Sequence, residues 1–171
     1  SHERQRRAGT ENVPAIVGFG KAAEIAVAGI ENGEVARLEG LRDHLQQTVL
    51  SEVDECVING GDVSRVPTTT NIRFGHIEGE ALVIALDLKG LSVSTGAACS
   101  SGTIEPSHVL TAMGLSPAQA RGSIRFSLGK QNTQQDIEFA VSIVPETVAR
   151  LRELSPLYKK AAVRSQKSAV S

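Results

Sequence analysis

One cysteine stands in a stretch of the sequence that is otherwise made of small residues. Residues 92–106 read SVSTGAACSSGTIEP, with Cys99 near the middle. Small side chains and glycines leave the backbone many accessible conformations and offer little to pack into a core. A thiol on such a loop can be reached by a substrate, which a reactive cysteine requires. The composition leaves two interpretations open, a nucleophilic Cys99 and a linker that happens to contain a cysteine.

The second candidate is an arginine in the clearest strand pattern of the chain. Residues 122–129 place Arg125 between apolar side chains that alternate with polar ones, so we expect Arg125 on the face opposite the core. A guanidinium held on a strand presents a planar fork of donors that matches a carboxylate. A surface salt bridge is the alternative, and the residues alone favour it.

The start of the sequence contains a third, weaker candidate. Thr10 follows three arginines at positions 4, 6 and 7 and precedes a helix in whose first turn Pro14 fits. Its hydroxyl and the nearby backbone N–H groups would form an anion site at the start of that helix. A solvated basic patch is the alternative, and the charge pattern favours it.

Composition restricts the class of protein. The chain has 171 residues, of which 40% are hydrophobic and 22% charged, as in a soluble globular protein. The net charge of -1 and the 3% of aromatic residues argue against a nucleic-acid or membrane surface. We expect no membrane-spanning run. Two cysteines without metal-ligand spacing, Cys56 and Cys99, predict a reducing, cytoplasmic location and no metal site.

Hydrophobic periodicity predicts helices and short strands in alternation. The expected helices cover about residues 14–30, 35–49, 81–88, 105–114, 116–120 and 133–154, with a bend at Pro145, and the expected strands cover residues 56–58, 70–74, 91–93 and 122–129. This order predicts an α+β fold, with helices packed on a small, mostly antiparallel sheet. The first helix is apolar on nearly every side, which indicates that something outside this sequence covers it.

Five segments, in this order along nearly the whole chain, resemble the signatures of the cysteine desulfurases, which are pyridoxal-phosphate (PLP) enzymes of the class V aminotransferase type. They read HERQRRAGTENV from residue 2, EGE from 78, STGAACSSG from 94, EPSHVL from 105 and SIRFSLG from 123. The resemblance implies the C-terminal small domain of a fold-type I PLP enzyme, preceded by a residual helix of the large domain. It implies a large-domain remnant at residues 1–30, the small domain at 31–157 and a basic tail at 158–171.

The resemblance also implies a role for each candidate residue. Cys99 would take sulfur from L-cysteine as a persulfide, leaving L-alanine, and pass the sulfur to an acceptor protein for iron–sulfur cluster assembly or thiolation. Arg125 would hold the carboxylate of L-cysteine. Thr10 would reach the phosphate of PLP in the other subunit of a homodimer.

The sequence departs from the family in what it lacks. No lysine lies in a motif that matches the Schiff-base lysine, and the segment that should carry most of the cofactor ligands is missing. We therefore expect a C-terminal fragment, or one half of a split enzyme, that is inactive by itself. The alternative function is a non-catalytic module that docks a sulfur acceptor.

Overall fold

In the computed structural model, which describes residues 9–95, 106–155 and 158, the chain forms six helices and a three-stranded sheet. The helices are α1 (Val13–Glu31), α2 (Glu34–Glu52), α3 (Gly79–Asp87), α4 (His108–Ala112), α5 (Pro117–Arg121) and α6 (Gln134–Leu154). The strands are β1 (Cys56–Ile58), β2 (Thr69–Phe74) and β3 (Ser123–Ser127). This confirms the predicted α+β class.

The sheet has the order β1-β2-β3, and both pairs are antiparallel. Its strands alternate between buried and more exposed residues, which gives two chemically different faces. The core face carries Ile72 and Phe74 of β2 and Ile124 and Phe126 of β3, all at most 3% exposed. The outer face carries the residues between them on the same strands.

The core lies between the core face and three amphipathic helices. Helices α2, α3 and α6 each contribute apolar side chains at helical spacing: Leu41, Leu45, Val49, Leu82, Leu86, Ile137, Val144 and Val148. The predicted cap at the start of α6 is present, since the Thr133 hydroxyl accepts from the N–H of Asp136 and the Asp136 carboxylate accepts from the N–H of Thr133. These contacts form one continuous hydrophobic cluster.

Contacts divide the chain into two compact units, residues 1–37 and 38–171. The first unit contains α1, which Asn12 caps by accepting a hydrogen bond from the N–H of Ala15 and which ends at Asn32 and Gly33. None of the residues of α1 is buried. By length and composition alone α1 would also span a membrane, contrary to our expectation for the sequence, but an apolar helix that packs inside a larger protein has the same properties.

Two local expectations are wrong. Residues 91–93 form no strand, and the chain instead makes a single bridge at Ser94, because only one residue aligns with β3. Pro106 precedes α4 rather than standing in its first turn, and Ser107 occupies the N-cap position. Helix α6 continues through Pro145, and the bend expected there stays a prediction.

Candidate functional site

Arg125 lies on the outer face of the sheet, as predicted, and its side chain is exposed. Among the described residues its guanidinium makes no hydrogen bond or ion pair. Arg152, in contrast, is 6% exposed and donates to the carbonyl oxygens of Asp54 and Gly75. A buried arginine with these partners serves the fold, whereas the guanidinium of Arg125 is available to an external carboxylate.

The backbone of Arg125 is held from both sides. On one side β3 pairs with β2, where Asn71 lies opposite Arg125. On the other side the N–H of Arg125 donates to the carbonyl oxygen of Ser94 at 2.7 Å, and the N–H of Ser94 donates to the carbonyl oxygen of Arg125 at 3.2 Å. The Cα of Arg125 is therefore fixed by neighbours on both edges of β3, which limits the positions its side chain must sample.

The glycine of the EGE segment permits a close approach at the edge of this site. A Cβ on Gly79, the first residue of α3, would overlap the carbonyl oxygen of Arg121 and lie 3.5 Å from Cγ2 of Thr95. Only a residue without a side chain lets α3 begin this near to the end of α5. Gly79 thus allows α3 to pack beside the segment that pairs with Arg125.

Of the three candidate residues, the structure describes Arg125 and Thr10, which belong to different units. Cys99 lies outside the described residues, so its distance to Arg125 is not defined. Thr10 is exposed and belongs to the first unit, whereas Arg125 belongs to the second. Thr10 lies two residues before Asn12, the residue that caps α1. Its position at a helix start is as predicted, and its role stays a prediction.

Cys56 is chemically unsuited to be the nucleophile. It is half-buried against the core, and burial raises the pKa of its thiol to about 11, although the nearby Arg152 acts in the opposite direction. At neutral pH it is a protonated, unreactive thiol. The prediction that Cys56 has a packing role is confirmed.

Two of the described lysines do not fit the role of a Schiff-base lysine. Such a lysine must lose its proton, which a desolvated or cationic environment favours. Lys21 instead lies 2.7 Å from the carboxylate of Glu24 on exposed helix surface, and Lys89 lies 3.0 Å from that of Glu146. These carboxylates favour the protonated form of both side chains. No cluster of metal-ligating side chains occurs in the described part of the chain.

Reasoning from the sequence assigned no role to Ser94, Asn71 or Gly79, although Gly79 and Ser94 lie in two of the segments that resemble the family. A glycine at the start of a helix is itself a local sign of a close approach. The pairing of Ser94 and Asn71 with Arg125 has no local signal, because each lies more than 30 positions from Arg125.

Comparison with known proteins shows the family. Residues 1–139 match the family model described as aminotransferase class-V, and the chain belongs to this family. It is 51% identical over 154 residues to a cysteine desulfurase of Nostoc sp., covering 90% of this chain and 38% of that protein. It is 48% identical to a cysteine desulfurase of Archaeoglobus fulgidus named IscS 1, covering 92% of this chain and 41% of that protein.

Solved structures agree with the sequence relatives. A NifS-like protein from Rickettsia africae superposes with a TM-score of 0.70 at 34% identity, covering 85% of this chain and 37% of that one. A second NifS-like protein gives a TM-score of 0.71 at 32% identity, covering 88% and 37%. The chain thus spans about two fifths of the length of the relatives it matches, and its fold is that of part of a PLP enzyme.

Proposed function

We propose that the chain is the C-terminal part of a cysteine desulfurase, in which Arg125 binds the carboxylate of L-cysteine and Cys99 receives its sulfur. The observation that carries the proposal is the exposed guanidinium of Arg125, which pairs with none of the described residues and stands on a backbone held from both sides. The identity of about half of the residues to cysteine desulfurases over 90% of the chain supports it.

The proposed reaction transfers one sulfur atom. L-cysteine and the thiol of Cys99 give L-alanine and a persulfide on Cys99, so a sulfur–sulfur bond forms, the carbon–sulfur bond of the substrate breaks, and the carbon takes a proton. A thiolate is the nucleophile that this transfer needs. The persulfide then passes its outer sulfur to an acceptor protein, such as an iron–sulfur scaffold.

The cofactor site is proposed to lie mainly in polypeptide that this sequence does not contain. Residues 1–30 would belong to the large domain, residues 31–157 to the small domain and residues 158–171 to a basic tail. The exposed apolar surface of α1, on which seven large hydrophobic residues are more than half exposed, supports the proposal that further polypeptide covers this helix. In a cytoplasmic homodimer, Thr10 would add one contact to the cofactor phosphate of the other subunit.

The test supplies the missing part of the protein and measures where the sulfur of L-cysteine is transferred. The chain is joined behind the preceding part of the Nostoc relative, and this joined protein is incubated with PLP and L-cysteine. We expect peptide mass spectrometry to find one added sulfur atom on Cys99. Cys56→Ser is the matched control and should carry the same sulfur, whereas Cys99→Ser should carry none.

Two outcomes would overturn the proposal. One is a joined protein that binds PLP, as its absorbance shows, but carries no sulfur on Cys99 and releases no L-alanine. The other is sulfur found on Cys56 at the same level as on Cys99. Binding of an acceptor protein in the absence of any persulfide would instead support the non-catalytic docking module.

A further inference from the structure

The outer face of the sheet places a second polar side chain directly beside Arg125. Asn71 of β2 lies opposite Arg125 of β3, and side chains at directly opposed positions point to the same face. Both backbone hydrogen-bonding groups of Arg125 are used by Ser94 on the far edge of β3. The pair with Asn71 is therefore of the non-hydrogen-bonded type, in which the two Cα atoms are only about 4.5 Å apart and the side chains are closest.

The carboxamide of Asn71 is fixed in one orientation. Nδ2 of Asn59 donates to Oδ1 of Asn71 at 2.6 Å and to Oγ of Ser123 at 3.0 Å. Asn59 is only 9% exposed, and its backbone N–H donates to the carbonyl oxygen of Asn71 at 2.9 Å. The Ser123 hydroxyl in turn donates to the carbonyl oxygen of Gln119. Asn59 thus binds the oxygen end of the Asn71 carboxamide firmly.

This orientation of the Asn71 carboxamide favours the binding of an anion beside Arg125. One of the two lone pairs of the Asn71 oxygen accepts from Asn59, which favours the orientation in which this oxygen faces Asn59 and not the guanidinium of Arg125. Nδ2 of Asn71 has no partner among the described residues and is left to donate outward. Arg73, two residues along the same face, also pairs with no carboxylate in the described part of the chain. The outer face thus offers donors without a neutralising partner.

We propose that Nδ2 of Asn71 is a second hydrogen-bond donor to the carboxylate that Arg125 binds, and that Asn59 is the positioning residue that holds it in this orientation. The inference rests on the proposed function, because that function supplies the carboxylate of L-cysteine. A charged acceptor gains more from such a donor than a neutral one does.

The experiment measures KM and kcat for L-cysteine in the joined protein. Asn71→Ala should raise KM by about tenfold or more, the usual effect of removing a hydrogen bond to a charged group, with kcat within about twofold. Asn71→Asp keeps the shape of the side chain, so it tests the same point if the alanine variant does not fold. Its negative charge beside Arg125 should raise KM further. Thr69→Ala, on the same face of β2, is the matched control and should leave KM unchanged.

The positioning role has a separate readout. Asn59→Asp replaces the donor facing Asn71 with an acceptor, so the carboxamide of Asn71 should turn and present its oxygen to Arg125. We expect KM to rise as in Asn71→Ala, while Asn59→Asp combined with Asn71→Ala adds little further. An unchanged KM in both Asn71 variants, with wild-type turnover intact, overturns the inference. Failure of the proposed function looks different, since the unmodified joined protein would then form no persulfide.

Discussion

The two faces of the three-stranded sheet are built from the same strands and have opposite chemistry. The core face is apolar and closed, with Phe74 1% exposed and Ile72 and Ile124 fully buried. The outer face carries Arg125, Asn71 and Arg73, which are polar and at least partly exposed. Because strand side chains alternate, each of these outer-face residues has a core-face residue on either side of it in the sequence.

The polar groups of the two faces differ in how they are paired. Next to the core, Thr70 donates to the side-chain oxygen of Gln46, which also accepts from Arg65, although Nη1 of Arg65 is buried without a partner among the described residues. On the outer face, Asn59 donates to Asn71 and to Ser123, whereas the guanidinium of Arg125 and Nδ2 of Asn71 have no partner among the described residues. Buried polar groups need partners to protect stability, whereas exposed donors can bind water or a ligand.

The largest expected effect is a difference in the free energy of unfolding between substitutions on the two faces of β2. Phe74→Ala removes a ring that is 1% exposed and should lower the free energy of unfolding by about 3–5 kcal/mol. Arg73→Ala, one residue earlier on the outer face, should change it by no more than about 0.5 kcal/mol. Urea unfolding of the two variants followed by circular dichroism measures both. Equal losses would contradict the division of roles between the faces.

A smaller effect is expected at the boundary of the site. Gly79→Ala places a Cβ that overlaps the carbonyl oxygen of Arg121 and should cost about 1–3 kcal/mol of stability through overpacking. Gly40→Ala in α2, where a Cβ meets nothing within 4 Å, is the matched control and should stabilise the chain by about 0.5–1 kcal/mol. The same urea titration compares them. A neutral Gly79→Ala would show that α3 does not need this close approach.

The smallest expected effect concerns the reactivity of the thiol of Cys56, which packs against the core. Because burial raises the pKa of Cys56 to about 11, only about one molecule in a thousand carries the thiolate at pH 8. In a Cys99→Ser variant, iodoacetamide should therefore alkylate Cys56 slowly at pH 8, and the rate should rise about tenfold for each pH unit up to about pH 11. Mass spectrometry over time measures the rate. A rate that levels off near pH 8.5 would contradict the assigned burial.

The sequence predicts most elements correctly where the signal is local. Alternation places Arg125 on the outer face, and the helical spacing of Leu41, Leu45 and Val49 predicts the buried side of α2. The sequence predicts poorly where the structure depends on pairing with a distant strand. Residues 91–93 have the pattern of a strand, but only Ser94 forms a bridge with Arg125.

The class of the fold, the family resemblance and the candidate residues follow from the sequence, because side-chain period and motif order are properties of neighbouring positions. The tertiary fold adds that Arg125 lies between Asn71 and Ser94 and that Asn59 binds the carboxamide of Asn71. These contacts join residues far apart in the chain, and hydrogen bonds between strands depend on which residues the register places opposite each other.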